Sequence, residues 1–278
     1  YNKQDSARML SAIGILVLMA PLAAPAVGSL LLNLFGWRSI FWLLVTYSIT
    51  LLMVLFFLLP ETHTSPKERF NPPKVVRNYL QVLNHRRALC FIFTQSFSSG
   101  MQFSFLTASA FIYMEYFRIS SELYPLLFAA NILSMMVFNR VNYQLLNRWQ
   151  PELILKTGIT LQLAANGALL VFSLSNPQLT GFMLLVMLAI GTQSMIWPNA
   201  SACALSYFPR NSGSATALTG SLRFLMGAST GSLISLLHDG TLMTITIMMF
   251  CCSGCSMLAY RLAMAIPAPE MPREAKGL

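Results

Sequence analysis

One arginine stands inside an otherwise uncharged apolar run: Arg223, near the middle of "ATALTGSLRFLMGASTGSLIS". At mid-membrane such a charge costs several kcal/mol on most scales, so it should face a helix bundle or a cavity rather than lipid. Two readings stay open. Arg223 lines a pathway, recruiting anions or pairing with a carboxylate, or it is satisfied by backbone carbonyls and water. Gly220, Gly227 and Gly231 around it suit close approach to a neighbouring helix. The uncharged polar groups are more numerous. Gln95 and Gln102 are seven residues apart, with Ser98 and Ser99 on the same side, so one helix has a polar face. Asn131, Gln162, Asn166, Gln193 and Asn199 add amides, and "QSMIWPNAS" joins Trp197, an internal Pro198 and Asn199, which suits a bend beside a cavity. Each amide alone is better explained as an interhelical hydrogen bond than as a substrate contact. As a set they make a polar seam.

Equally informative are the groups that are missing. Glu61, Glu115, Glu122, Glu152 and Asp239 all fall near the ends of apolar runs, and His238 and Asp239 sit at an outer edge. No intramembrane His, Asp, Glu or Ser–Lys grouping offers general acid–base or nucleophilic chemistry, so the chain does not read as an enzyme. "CCSGC" holds a CxxC, but no His or second Cys pair stands nearby to complete a zinc site. Cys90, Cys203, Cys251, Cys252 and Cys255 read as small packed residues. Neither a metal nor a cofactor is expected.

The elements that position these residues are set by composition. The 278 residues are 55% hydrophobic and 10% charged, with mean hydropathy +0.61, far from the ~25% charged of soluble domains. Eight runs, near 9–32, 38–59, 88–112, 123–139, 152–174, 179–207, 214–237 and 241–266, are each long enough for a membrane helix. The expected fold is an all-α, multi-pass membrane protein with eight transmembrane helices. The sixth run is longer than needed, and a tilt or an interruption is expected there. If Tyr1 is cytoplasmic, fifteen of the eighteen Lys and Arg residues fall on that side, all but Arg38, Arg118 and Arg223. That bias puts both termini in the cytoplasm. It also accounts for the net charge of +9 without a nucleic-acid partner. The Pro-rich, basic stretch 60–87 divides the chain, leaving 1–59 with two helices, 88–266 with six, and a tail at 267–278. Within it, "PPKVVRNYLQVLNHRR" suits a short amphipathic helix at the membrane surface, with Val76, Tyr79, Leu80 and Leu83 on its apolar face.

The first run carries two prolines one turn apart, Pro21 and Pro25, which free the carbonyls of Val17 and Pro21. They share a stripe with Gly14, Gly28 and Leu32, with Ser11 and Ser29 at its edge, so that stripe should meet protein or a water-filled cavity. The run also aligns without gaps to 214–237, matching Ser11/Ser214, Ala12/Ala215, Gly28/Gly231, Ser29/Ser232, Leu30/Leu233 and Leu34/Leu237. Such a match fits transporters built from parallel repeats, in which helices six apart are equivalent.

"APLAAPAVGSLL…FGWRSIFW" resembles the GPxxGG antiporter motif in the fifth helix of major facilitator superfamily drug:proton antiporters, with the run that follows it in the bicyclomycin-resistance (Bcr/CflA) type. Pro25 and Gly28 stand at the motif's proline and first paired glycine, while Ala24 and Ser29 replace its other glycines. Gly36, Trp37, Arg38, Ile40, Phe41 and Trp42 match the following run. "TASAFIYMEYFRISSELYPLLFAANI" and "WPNASACALSYFPRNSGSATALTGSLRFLMGA" are similar to later family segments, with Ala110 in place of a family proline. The resemblance covers all but the tail.

It implies that the eight helices correspond to helices 5–12 of such a transporter, with the first four absent. The function implied is efflux of drugs or small molecules by proton-coupled alternating access in the inner (plasma) membrane, as a monomer. The coupling group would lie in the absent helices, and the fragment alone would be inactive. Gln95, Gln102, Asn131, Gln193, Asn199 and Arg223 are the expected substrate-pathway residues, and Pro21, Pro25, Gly28 and Ser29 the antiporter motif. The family often has an uncharged polar residue at the Arg223 position. Two alternatives stand beside this reading: an exporter of an anionic or zwitterionic metabolite with the same fold, and a non-transporting membrane fragment.

Overall fold

The structure is a computed structural model that describes residues 3–60, 71–120, 122–175, 177–209, 211–237 and 239–267. Within these, the side chains of 15, 16, 18–26, 29 and 33 fall outside the description. Ten α-helices follow in chain order: α1 (Lys3–Phe35), α2 (Arg38–Leu58), α3 (Pro72–Asn84), α4 (Arg86–Ala110), α5 (Tyr124–Leu145), α6 (Pro151–Ser173), α7 (Leu179–Gly191), α8 (Gln193–Leu205), α9 (Ser212–Leu237) and α10 (Leu242–Ala265). A π-helical turn at Phe111–Tyr116 extends α4. The described residues form no strand. Each of the eight apolar runs falls on helix. Five described segments are long and apolar enough to cross a membrane: α2, α5, α6, the α7–α8 pair and α10.

Helix ends are set by local chemistry. His85 caps α4 by accepting the Ala88 N–H through Nδ1 at 3.2 Å, and Thr241 caps α10 by accepting from Met243 N at 3.3 Å. Pro151 opens α6 at a position where its missing N–H costs nothing. Gly36, at φ 76°, ends α1 and hands the chain to α2 within two residues, a left-handed geometry that favours glycine.

Helix α4 packs most extensively, against α9, α10 and α8, while α6 meets α10, α7 and α8. One core surrounds Met101, Phe105, Tyr113, Leu169 and Phe182; a second surrounds Phe91, Ile92, Leu155, Ile196 and Cys203. Helix α1 lies against α5 and α8, and α2 packs on α1 with no residue of its own buried. Its apolar side chains, such as Trp42, Phe56 and Phe57, are exposed, as lipid-facing surfaces are.

Two expectations are refined. The long sixth run is interrupted at Thr192, six residues before Pro198. The carbonyls around that break accept from side chains: Met187 O from Ser134 Oγ at 2.7 Å, Ala189 O from Thr192 Oγ1 at 2.8 Å, and Gly191 O from Ser194 Oγ at 2.6 Å. Side-chain competition for the helical ladder therefore locates the break. The amphipathic helix is present as α3, capped by Asn71, which accepts from Lys74 N at 3.4 Å. It docks on the bundle through Val82, while Val76, Leu80 and Leu83 stay exposed. The expected apolar face is thus the one turned away from protein, free to meet the membrane surface.

Candidate functional site

Helix α1 is docked at the end that carries Lys3. Its Nζ pairs with Glu152 Oε1 at 2.9 Å; Arg8 Nη2 donates to Leu146 O at 2.9 Å, and Gln4 Nε2 donates to the same carbonyl. Burial opposes the Lys3 charge, but the hydrogen bond and the carboxylate of Glu152 outweigh it, so this ammonium titrates above its ordinary value. Ala7 fits a pocket with Leu146, Ile154, Met195 and Ala202.

One turn further along, the seam becomes polar and closed. Asn142 Nδ2 donates to Ser11 Oγ at 2.7 Å, and Ser11 Oγ donates to Asn139 Oδ1 at 3.4 Å. Asn199 Nδ2 donates to Asn142 Oδ1 and to Met195 O, both at 2.6 Å. Ser11, Asn139, Asn142 and Asn199 are all buried and tie α1, α5 and α8 together. A Cβ on Gly14 would stand 2.8 Å from Asn139 Nδ2 and 3.7 Å from the Trp197 ring, so α1 approaches closely there because it carries glycine. Towards Phe35 the described side chains Val27, Leu30, Leu32 and Leu34 are exposed, and a Cβ on Gly28 would meet nothing within 4 Å. The Gly14 part of the stripe thus meets protein and the Gly28 part stands open. The backbone of Pro21, Pro25 and Ser29 runs within α1, but their side chains lie outside the described set.

Gln95 and Gln193 belong to a second polar network, inside the α4–α6–α8–α10 bundle. Ser98 Oγ, with one hydrogen to give, faces Gln162 Oε1 at 2.8 Å and Gln193 Oε1, and Gln193 Nε2 donates to Ser99 Oγ at 3.0 Å. Ser201 Oγ donates to Gln95 Oε1 at 2.8 Å, and Asn166 Nδ2 donates to Ser253 Oγ at 2.6 Å. Gln102 and Asn131 are less engaged. Gln102 Nε2 meets Met135 Sδ at 3.7 Å, Asn131 Nδ2 donates to Leu127 O at 3.1 Å, and both side-chain oxygens are covered with no partner.

Arg223 sits on the protein-facing stripe of α9, one turn from buried Thr219 and one from buried Gly227. Its guanidinium lies 5.7 Å from the Trp197 ring centroid and 6.0 Å from that of Phe224, and its Nε is covered without an acceptor. The structure therefore groups Asn199 with the α1 seam and Gln95 with Gln193 in the interior. Arg223 stands beside Trp197, which itself faces α1. Asn139 and Asn142 were missed from sequence; their signal was an Asn pair three residues apart on α5.

Among the described residues no cluster of His, Cys, Asp or Glu could hold a metal ion, and no nucleophile meets a general base.

Residues 1–232 match the Major Facilitator Superfamily. The chain is 28% identical over 263 residues to the "Bicyclomycin resistance protein homolog" of Haemophilus influenzae, covering 94% of this chain and 66% of the relative. It is 22% identical over 265 residues to the "Uncharacterized MFS-type transporter YdgK" of Bacillus subtilis, covering 94% and 65%. A shorter stretch of 110 residues, 40% of the chain and 27% of the relative, is 31% identical to the "Multidrug transporter MdfA" of Edwardsiella ictaluri. The chain thus spans 65–66% of the length of the relatives it matches over most of its own. A helical bundle with exposed apolar helices accompanies that match, and the chain belongs to the Major Facilitator Superfamily, a family of multi-pass membrane transporters.

Proposed function

We propose that the chain serves in the export of drugs or other small amphipathic molecules across the inner membrane by proton-coupled alternating access. The observation that carries this reading is the two-ended seam of α1: docked on α5 and α8 at the Lys3 end, and exposed at Val27, Leu30, Leu32 and Leu34 towards Phe35. A transporter closed on one side and open on the other needs such a helix. The names of two relatives, a bicyclomycin resistance homolog and a multidrug transporter, support drugs as cargo. Residues 1–59 form part of one moving body, 88–266 form a six-helix half, 60–87 connects them, and 267–278 is a tail. Both ends lie in the cytoplasm, on the side of the fifteen clustered cations. In this reading Gln102, Asn131 and Arg223 border the pathway. Gln95 and Gln193 shape it from within the half, Asn199 helps to close it, and Pro21, Pro25, Gly28 and Ser29 form the motif of the sealing helix.

The test is accumulation of a fluorescent dye such as ethidium in cells with and without the protein that contains this chain. Removal is expected to raise steady-state accumulation severalfold, and unchanged accumulation across a panel of cationic, neutral and anionic compounds would overturn the reading. Proton coupling needs a carboxylate or histidine that each face reaches in turn. The described carboxylates, Asp5, Glu115, Glu122, Glu152 and Asp239, all stand at helix ends or in turns. The purified 278-residue chain is therefore expected to release no protons when drug is added, measured with a pH indicator in weakly buffered detergent solution. Release stoichiometric with drug would contradict this.

A further inference from the structure

We propose that Arg223, held against the face of Trp197, is an anion-reading site of the substrate pathway, and that its cargo is the aromatic monocarboxylate class. The inference rests on the export reading above and names the substrate chemistry of the same pathway.

The first support is placement. Arg223 is the twelfth residue of the 26-residue helix α9, so it stands at mid-helix, and the buried stripe Ala215, Thr219, Gly227 and Ile234 turns it towards protein rather than lipid. The long side chain cannot reach a membrane surface from there without leaving that stripe.

The second is the absence of a counter-charge. Among the described residues the ion pairs are Lys3–Glu152 and Arg8–Asp5, both at the far end of α1. Arg223 makes no described hydrogen bond, its Nε is covered with no acceptor, and the residue as a whole keeps partial exposure. Among the described residues, a half-buried guanidinium left in this way has no anion to offset its desolvation.

The third is the form of the surroundings. Trp197 and Phe224 offer ring faces at 5.7 and 6.0 Å, which hold the cation without using its N–H donors. The planar fork remains free for the two oxygens of a carboxylate. A Cβ on Gly14 of α1 would stand 3.7 Å from the Trp197 ring, so the platform lies on the seam between α1 and the bundle, directly past the Ser11–Asn142–Asn199 closure. A ligand there meets an aromatic surface and a cation together. It requires an apolar ring body with one anionic group.

The experiment uses two probes of nearly equal shape, naphthoate and its neutral amide, naphthamide. Binding to the purified protein in detergent is read by calorimetry or by tryptophan fluorescence. The wild-type protein is expected to bind naphthoate about tenfold or more tightly than naphthamide, since charge-assisted hydrogen bonds exceed neutral ones by that order. Arg223→Gln should abolish the preference by weakening naphthoate alone, and Arg223→Lys, which keeps the charge but loses the fork, should fall between. Equal binding of the two probes by the wild-type protein overturns the proposal without recourse to any variant. A preference that survives Arg223→Gln overturns it too, as does a variant that loses thermal stability while naphthoate affinity stays unchanged, the signature of an internal partner. Vesicles reconstituted with the protein that contains this chain separate the two readings. Naphthoate preference with no transport of either probe supports the anion site and defeats the export reading. Transport of ethidium with no carboxylate preference does the reverse.

Discussion

Replacing Gly191 with alanine is expected to lower the melting temperature of the detergent-solubilised protein by about 5–15 °C, a loss of about 2–4 kcal/mol. The added Cβ would stand 2.5 Å from Phe138 Cδ2, 2.9 Å from its Cε2 and 2.5 Å from Ser134 Oγ. Neither neighbour moves without loss. Ser134 is buried and donates to Met187 O at 2.7 Å, and Phe138 packs on the cluster that seats Ala7. Overpacking of this kind costs about 1–3 kcal/mol, and breaking the Ser134 bond adds about 1. Gly220→Ala is the control. A Cβ there meets nothing within 4 Å, so the same change of residue should leave stability unaltered. In a Phe138→Ala background the penalty of Gly191→Ala should shrink, because the ring that blocks the methyl is gone. An alanine variant that melts with the wild type would mean that α5 and α7 are not in this contact.

Hydropathy made the helical runs legible because a membrane helix must carry its apolar length in one continuous stretch. The break at Thr192 was hidden. It arises from Ser134 on another helix and from Thr192 and Ser194 at the break itself, so the length of the run announced an interruption without placing it. The docking contact of α3 was hidden for a related reason. Val76, Leu80 and Leu83 form the better apolar stripe, yet the tertiary contact is made by Val82 alone among the buried residues, leaving that stripe exposed. For the polar residues, type was legible and partnership was not. Gln95, Gln193 and Gln102 looked alike in sequence, yet Gln193 is bonded through both its oxygen and its nitrogen, Gln95 through its oxygen alone, and Gln102 keeps a bare oxygen. Arg223 declared itself by charge, while its aromatic platform lies 26 positions away on a different helix. Asn139 and Asn142 escaped notice because two amides near a helix end carry no hydropathy signal. Their meaning depends on Ser11 of α1, more than a hundred residues earlier.

That seam supports the second large prediction. Asn142→Leu is expected to raise the labelling rate of a cysteine placed at Ala7 about 5–150-fold, in a background with the five native cysteines replaced. Asn142 bonds Ser11 and accepts from Asn199, and all three are buried. Leucine leaves the Ser11 hydroxyl and the Asn199 amide each short of a partner in a dry contact, which costs about 1–3 kcal/mol. On the alternating-access proposal the cost falls on the state in which α1 is docked and not on the state in which these groups reach water. The equilibrium then shifts by the factor given, since 1–3 kcal/mol is about 5–150-fold in population. Ala7 reports it because it is wholly covered in the docked state, between Leu146, Ile154, Met195 and Ala202. The comparison with Lys3→Ala decides which interaction holds the seam. The Lys3–Glu152 pair is 30% and 24% exposed, and pairs of that kind contribute about 0–1 kcal/mol. Its removal should change the labelling rate by no more than about fivefold. Equal rates for the Ala7 cysteine with and without Asn142→Leu would show that the buried amides do not hold α1. A larger effect from Lys3 than from Asn142 would move the closure to the ion pair.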